Sequence, residues 1–141
     1  MIKSIAIISL ILIAYVALAY FNEQAGQLSV SYVVDGDTFV TTNDETVRVW
    51  GIDAPEEDQP FYQTATITLE SLIEDSFLAC NFITKGKYRR DIMRCYNADG
   101  QDIGALMIQK GMAKDYNNVS GGYYMRDEIQ AQKRQLGIWK K

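Results

Sequence analysis

The feature that most limits what this chain can fold into is a succession of short extended runs, each stopped by a turn. "LSVSYVV" and "TFVTT" are rich in β-branched and aromatic residues and flank the turn "DGD". A second turn at "NDE" leads into "TVRVWGI". "FLACNFIT" and "DIMRCYN" read as two further strands joined by the basic turn "KGKYRR", and "ADG" closes the fifth. Between the third and fourth runs, "FYQTATITLESLIEDSF" places Phe61, Ala65, Leu69, Leu72 and Ile73 near one helical face, so a helix is predicted to begin after Pro60. "IGALMIQKG" and "YYMRDEIQAQKRQLG" read as helices, each ending at a glycine suited to a left-handed C-terminal cap.

Five short strands and about three helices predict an α+β domain: a small five-stranded Greek-key β-barrel of the OB type. An N-terminal hydrophobic segment precedes it. After Lys3 the run "IAIISLILIAYVALAYF" is uncharged and apolar, and polarity switches at "NEQAGQ". Residues 1–21 are therefore expected to be a signal peptide, cut after the small residues Ala17 and Ala19, or an uncleaved membrane anchor of about 17 apolar residues. Lys3 on the short N-terminal side favours export of the C-terminal domain, so both readings put that domain outside the cytoplasm, periplasmic, secreted or anchored. Residues 22–28 read as a linker and 29–141 as one domain, expected to be monomeric.

The 141 residues contain no histidine, which removes Ser-His-Asp and Cys-His nucleophiles and HExxH zinc sites. Chemistry must run on carboxylates, arginine, lysine, tyrosine or a hard, oxygen-liganded cation. A net charge of −4 argues against a broadly cationic nucleic-acid coat, so any polyanion site is local. Cys80 and Cys95 are the two cysteines, and in an exported domain they are expected to pair.

Asp35 and Asp37 bracket one tight turn and, two apart on extended chain, point to the same side, as carboxylates sharing a cation do. Alone, "DGD" is an ordinary hairpin turn, and the spacing fails the EF-hand pattern. A second segment changes the weighing. Arg48 lies on a strand whose far end delivers Asp53, Pro55 and Glu56 to a loop, and functional groups cluster on loops held by rigid scaffolds.

"VVDGDTF", "VRVWGIDAPE", "KYRRDIMRC" and "LMIQKGMA", in this order, resemble the thermonuclease-like family typified by staphylococcal nuclease. The likeness runs from about Ser29 to Trp139. It implies an OB-fold barrel with three helices that uses calcium to hydrolyse DNA and RNA with little sequence preference, leaving 3′-phosphate ends. By position, Asp37 and Asp53 would be the calcium carboxylates, completed by the backbone carbonyl of Ala54. Glu56 would orient or deprotonate the attacking water. Arg48 would hold the scissile phosphate, and Arg90, found by aligning "KYRR" with the family's Tyr-Gly-Arg, would be the second arginine. Asp35 would support the turn. Arg89 departs from the pattern, standing where the family carries glycine.

The roles agree with the chemistry. A phosphodiester repels hydroxide, and its transition state spreads further negative charge over the phosphoryl oxygens, which a cation and two guanidinium forks neutralise. Tyr116 is a candidate nucleotide contact, since bases stack on aromatic rings. Tyr123, Tyr124, Trp50 and Trp139 read as packing residues. The alternative reading is a catalytically silent nucleic-acid-binding module, or a membrane-tethered structural domain, on the same barrel.

Overall fold

Alternating burial along Thr46–Val49 and Asp91–Tyr96 marks strands with one face on a core, while all four residues of Thr38–Thr41 are buried. In a computed structural model of the chain, the described residues are 9, 11–16, 26–74 and 77–141. Five strands, β1 (Gly26–Asp35), β2 (Thr38–Thr41), β3 (Thr46–Val49), β5 (Phe77–Lys85) and β6 (Asp91–Tyr96), close a barrel in the order β1-β2-β3-β6-β5. Neighbours are antiparallel except β3 and β6, which run parallel with Val47 opposite Asp91 and Val49 opposite Met93. A parallel pair needs a long crossover, here supplied by helix α1 (Tyr62–Ile73) and β5. This is the expected five-stranded OB-type barrel.

The helix predicted after Pro60 begins at Tyr62 and buries Ala65, Leu69 and Ile73 against the barrel, while Phe61 and Leu72 are partly buried at its margin. Helix α2 (Ile103–Gln109) is capped by Asp102, whose carboxylate accepts the Ala105 N–H at 3.2 Å, and Gly111 beyond its end takes the expected left-handed conformation at φ +69°. A one-turn helix α3 (Asn117–Ser120) precedes α4 (Met125–Lys133). α4 stops before the predicted Gly137, and Gln135 (φ 51°) is the first residue past it in the left-handed region. Met107 and Met112 are core residues, whereas Met125 is exposed.

The predicted strand "TVRVWGI" is broken. It turns at Trp50 and Gly51, and its last part becomes β4 (Ile52–Asp53), paired with β7 (Lys114–Asp115) in a separate two-stranded ladder. The stretch read as a linker also differs. β1 starts at Gly26, and Gly26, Gln27 and Leu28 pair with Cys80, Ala79 and Leu78, so 26–28 are strand. Polar composition suggested a linker, but the partner strand β5 satisfies this backbone, a long-range effect that local composition does not report.

The expected leader over 1–21 falls largely outside the described residues. Residues 11–16 are helical and exposed, and among the described residues no helix is long and apolar enough to cross a membrane.

Cys80 and Cys95 face each other across β5 and β6 and form the expected disulfide. A polar lock ties β6 to the helices. Arg94 Nε donates to Asp102 at 2.7 Å, and the Tyr124 hydroxyl donates to the same carboxylate at 3.0 Å. Trp50 meets Tyr123 and Tyr124 edge-on at 5.7 and 5.8 Å. These two tyrosines and Trp50 are packing residues, as read from the sequence.

Candidate active site

The β1–β2 turn brings Asp37 to the end of the barrel. Asp35 Oδ1 accepts the Asp37 N–H at 3.0 Å, the local side-chain-to-backbone bond that makes aspartate a turn former. Gly36 sits at the apex for a steric reason: a Cβ there would come within 2.7 Å of the Ala54 and Ala65 side chains. That close approach lets the turn meet the Asp53–Ala54 loop and the first residues of α1.

Asp37 is buried. Its Oδ1 accepts from the Thr38 hydroxyl at 2.9 Å, and its Oδ2 accepts from the Ala54 backbone N–H at 3.0 Å and faces Arg48 Nη2 at 3.1 Å. Burial pushes its carboxyl up to about 6 from 3.8, against the Arg48 charge and the Ala54 N–H, which pull it down.

Arg48 comes from β3, where its Cα pairs with Thr38 of β2. Its Nη1 donates to the Ile52 carbonyl at 2.9 Å, wrapping the side chain around the β3–β4 turn. Its Nη2 also lies 3.5 Å from Asp53 Oδ1, so one nitrogen faces both Asp37 and Asp53. One guanidinium nitrogen therefore bridges the two carboxylates. Asp53 is half exposed at the end of β4, beyond which the chain leaves the ladder as a loop.

Four of the residues singled out in the sequence, Arg48, Asp53, Arg90 and Tyr116, line one cleft of about 340 Å³, with Lys87 beside them. Tyr116 is held there by its N–H, which donates to the Gly51 carbonyl at 2.9 Å. Arg90 comes after a turn in which Tyr88 and Arg89 both adopt the left-handed region, at φ 58° and 59°. Arg90 Nε reaches the Lys87 carbonyl at 3.4 Å, and its guanidinium stands 5.6 Å from the Tyr88 ring centre. Arg89 lines a different depression, beside Asp44, Glu45 and Asp91, so the two adjacent arginines look to different sides of the hairpin tip.

Glu56 is not drawn into this group. It is exposed in the loop after Pro55, its N–H donates to Gln59 Oε1 at 3.0 Å, and among the described residues its carboxylate makes no hydrogen bond or ion pair. Ala54 meets Asp37 through its N–H rather than its carbonyl, and it lines the neighbouring cleft. Among the described residues no three acidic, cysteine or histidine side chains are close enough to form a metal cluster. Two lysines beside Asp53 and Arg90 are not among the candidate residues named from the sequence. Lys87 was visible as part of the basic turn, but Lys114, opposite Asp53 in the β4–β7 ladder, carried no signal because each strand is two residues long.

Residues 46–141 match the protein family described as Staphylococcal nuclease homologue. An uncharacterised endonuclease of Haemophilus influenzae is 30% identical over 142 residues, covering 97% of this chain and 79% of that protein. An uncharacterised endonuclease of Escherichia coli is 27% identical, over 76% of this chain and 72% of its own length. The succinoglycan biosynthesis protein ExoI of Rhizobium meliloti is 31% identical over 77% of this chain, which spans only 62% of that protein. With the family match covering most of the barrel and all the helices beyond it, the chain belongs to the staphylococcal nuclease homologue family.

Proposed function

We propose that the chain is a calcium-dependent endonuclease that hydrolyses phosphodiester bonds of DNA and RNA with little sequence preference. The observation that carries this reading is the single cleft holding Arg48, Asp53, Arg90 and Tyr116 beside the buried Asp37. Membership of the family and the named endonucleases among its relatives support it.

The residues fit a hard divalent cation. Asp37 and Asp53 bring carboxylate oxygens to the same guanidinium nitrogen of Arg48, and carboxylate oxygens are the hard donors such a cation takes. Those two carboxylates, with the Ala54 carbonyl, would hold calcium, which when bound supplies charge against the phosphoryl oxygens. Arg48 and Arg90 then grip the scissile phosphate through planar, permanently charged donors. The unengaged Glu56 carboxylate takes a proton from the attacking water. Water oxygen bonds to phosphorus, the P–O bond to the 5′ carbon's oxygen breaks, that leaving oxygen takes up a proton from solvent, and a 3′-phosphate and a 5′-hydroxyl result. Tyr116 offers its ring to a base. The apolar run near the N-terminus supports export of the domain, and retention in membranes after alkaline extraction would mark an anchor rather than a cleaved signal.

The test is digestion of single-stranded DNA, duplex DNA and RNA by the full chain with calcium and with chelator, beside Glu56→Gln. Calcium-dependent cutting that Glu56→Gln suppresses by about a hundredfold or more is expected. A folded chain that binds nucleic acid but cuts none of the three substrates would leave the silent binding or tethered module instead.

A further inference from the structure

Asp53 borders two clefts. On one side is the Arg48–Arg90–Tyr116 cleft, and on the other is a larger one of about 540 Å³ bounded by Phe61, Lys114, Trp139 and Lys140. The second cleft has the composition of a nucleotide site. Trp139 contributes an indole ring, and the Lys114 ammonium lies 5.7 Å from its centre. Lys114 and Lys140 are exposed, and among the described residues neither has a carboxylate partner. Two cations without a carboxylate partner thus line one cleft with an aromatic ring, in a chain whose net charge is −4.

These groups are held in place. Lys114 pairs with Asp53 in the β4–β7 ladder, so its position is set by the same backbone that positions the candidate site. Trp139 lies on a short 3-10 turn, Gly137–Trp139, fixed to the end of α2 by the Ile138 N–H, which donates to the Gly111 carbonyl at 2.9 Å. A strand of nucleic acid with its scissile phosphate at Asp53 and Arg48 must leave in two directions. Arg90 and Tyr116 receive one.

Building on the nuclease reading, we propose that the Phe61–Lys114–Trp139–Lys140 cleft is a second nucleotide subsite, which receives the residue of a single-stranded chain flanking the scissile phosphate on the side away from Arg90. Its base stacks on Trp139, and Lys114 and Lys140 neutralise the next phosphate. Unpaired bases stack on aromatic rings whatever their sequence, and lysine serves phosphate as a point charge. The subsite would make the enzyme favour single strands that extend beyond the cleaved bond on both sides.

The two tryptophans make the test direct. In a Trp50→Phe/Glu56→Gln chain, which slows turnover and leaves Trp139 as the sole indole, a trinucleotide with calcium should quench Trp139 fluorescence. A mononucleotide should not. In the active chain, Lys114→Gln/Lys140→Gln should raise the KM for the trinucleotide about tenfold with kcat retained, and lower the salt slope of binding by about 0.7 per lysine removed. Both lysines are exposed, so this variant tests the subsite even if changes at Trp50 disturb folding. A trinucleotide that is bound and cut with neither quenching nor dependence on the lysines overturns the subsite alone. A trinucleotide neither bound nor cut by the unaltered chain overturns the nuclease reading, and the subsite with it.

Discussion

Arg48 and Asp37 are joined across the β2–β3 ladder, with Nη2 of the guanidinium 3.1 Å from Oδ2 of a carboxylate that is almost wholly removed from water. Truncating one member of such a pair strands the other. Arg48→Ala is expected to cost about 3 kcal/mol in a urea titration, because the buried carboxylate loses its cation. Asp37→Asn in the Arg48→Ala background should recover part of that loss, since a neutral amide does not need one. Arg48→Lys should keep some stability yet lose activity steeply, because an ammonium cannot bind two phosphate oxygens as a fork does.

Arg89 occupies a left-handed conformation at φ 59°, where its Cβ crowds the backbone. Arg89→Gly should raise the urea midpoint with an unchanged slope, a net gain of up to about 1 kcal/mol after the greater freedom of the unfolded glycine is subtracted. Because Arg89 faces away from the Arg48 cleft, cleavage rates should hold.

The Cys80–Cys95 bridge joins residues 15 apart on the two strands that flank the Arg90 turn. Cys80→Ser/Cys95→Ser is expected to cost about 3 kcal/mol on the chain-entropy account. Free-thiol titration of the oxidised protein under denaturant should find none, and two reactive thiols would refute the bridge.

Tyr124 is held neutral. Burial, then the Asp102 carboxylate that its hydroxyl bonds, push its ionisation well above the ordinary tyrosine value of 10. In the unfolded chain it ionises near that value, so the stabilisation from keeping it neutral is complete below about pH 10 and falls as pH rises further. Stability measured between pH 9 and 11 should therefore decline. Tyr124→Phe should flatten the decline while costing about 1 kcal/mol at pH 7, from the hydrogen bond lost to Asp102.

Much of this protein is legible in its sequence by itself. Short β-branched runs between turns specify the five barrel strands because alternation and turn chemistry are local, and Ala65, Leu69 and Ile73 specify α1 because helical spacing is local too. "DGDT" and "RVWGIDAPE" suggest the family through residues whose types the chemistry restricts, and the family match over residues 46–141 takes in the second of them. The breaks were hidden for the same reason. Whether "VWGI" continues as strand depends on β7, some sixty residues away, and whether 26–28 are strand depends on β5. Composition placed Asp37 in a turn. Only tertiary packing buried it, raised its carboxyl, and gave it Arg48 and the Ala54 N–H as partners. Likewise, adjacent Arg89 and Arg90 were indistinguishable by type, and the fold of the hairpin tip sends one into the cleft and the other away. Neighbourhood along the chain is set by covalent order, but the electrostatic environment of a side chain is set by what packs around it, and that exists only once the barrel has closed.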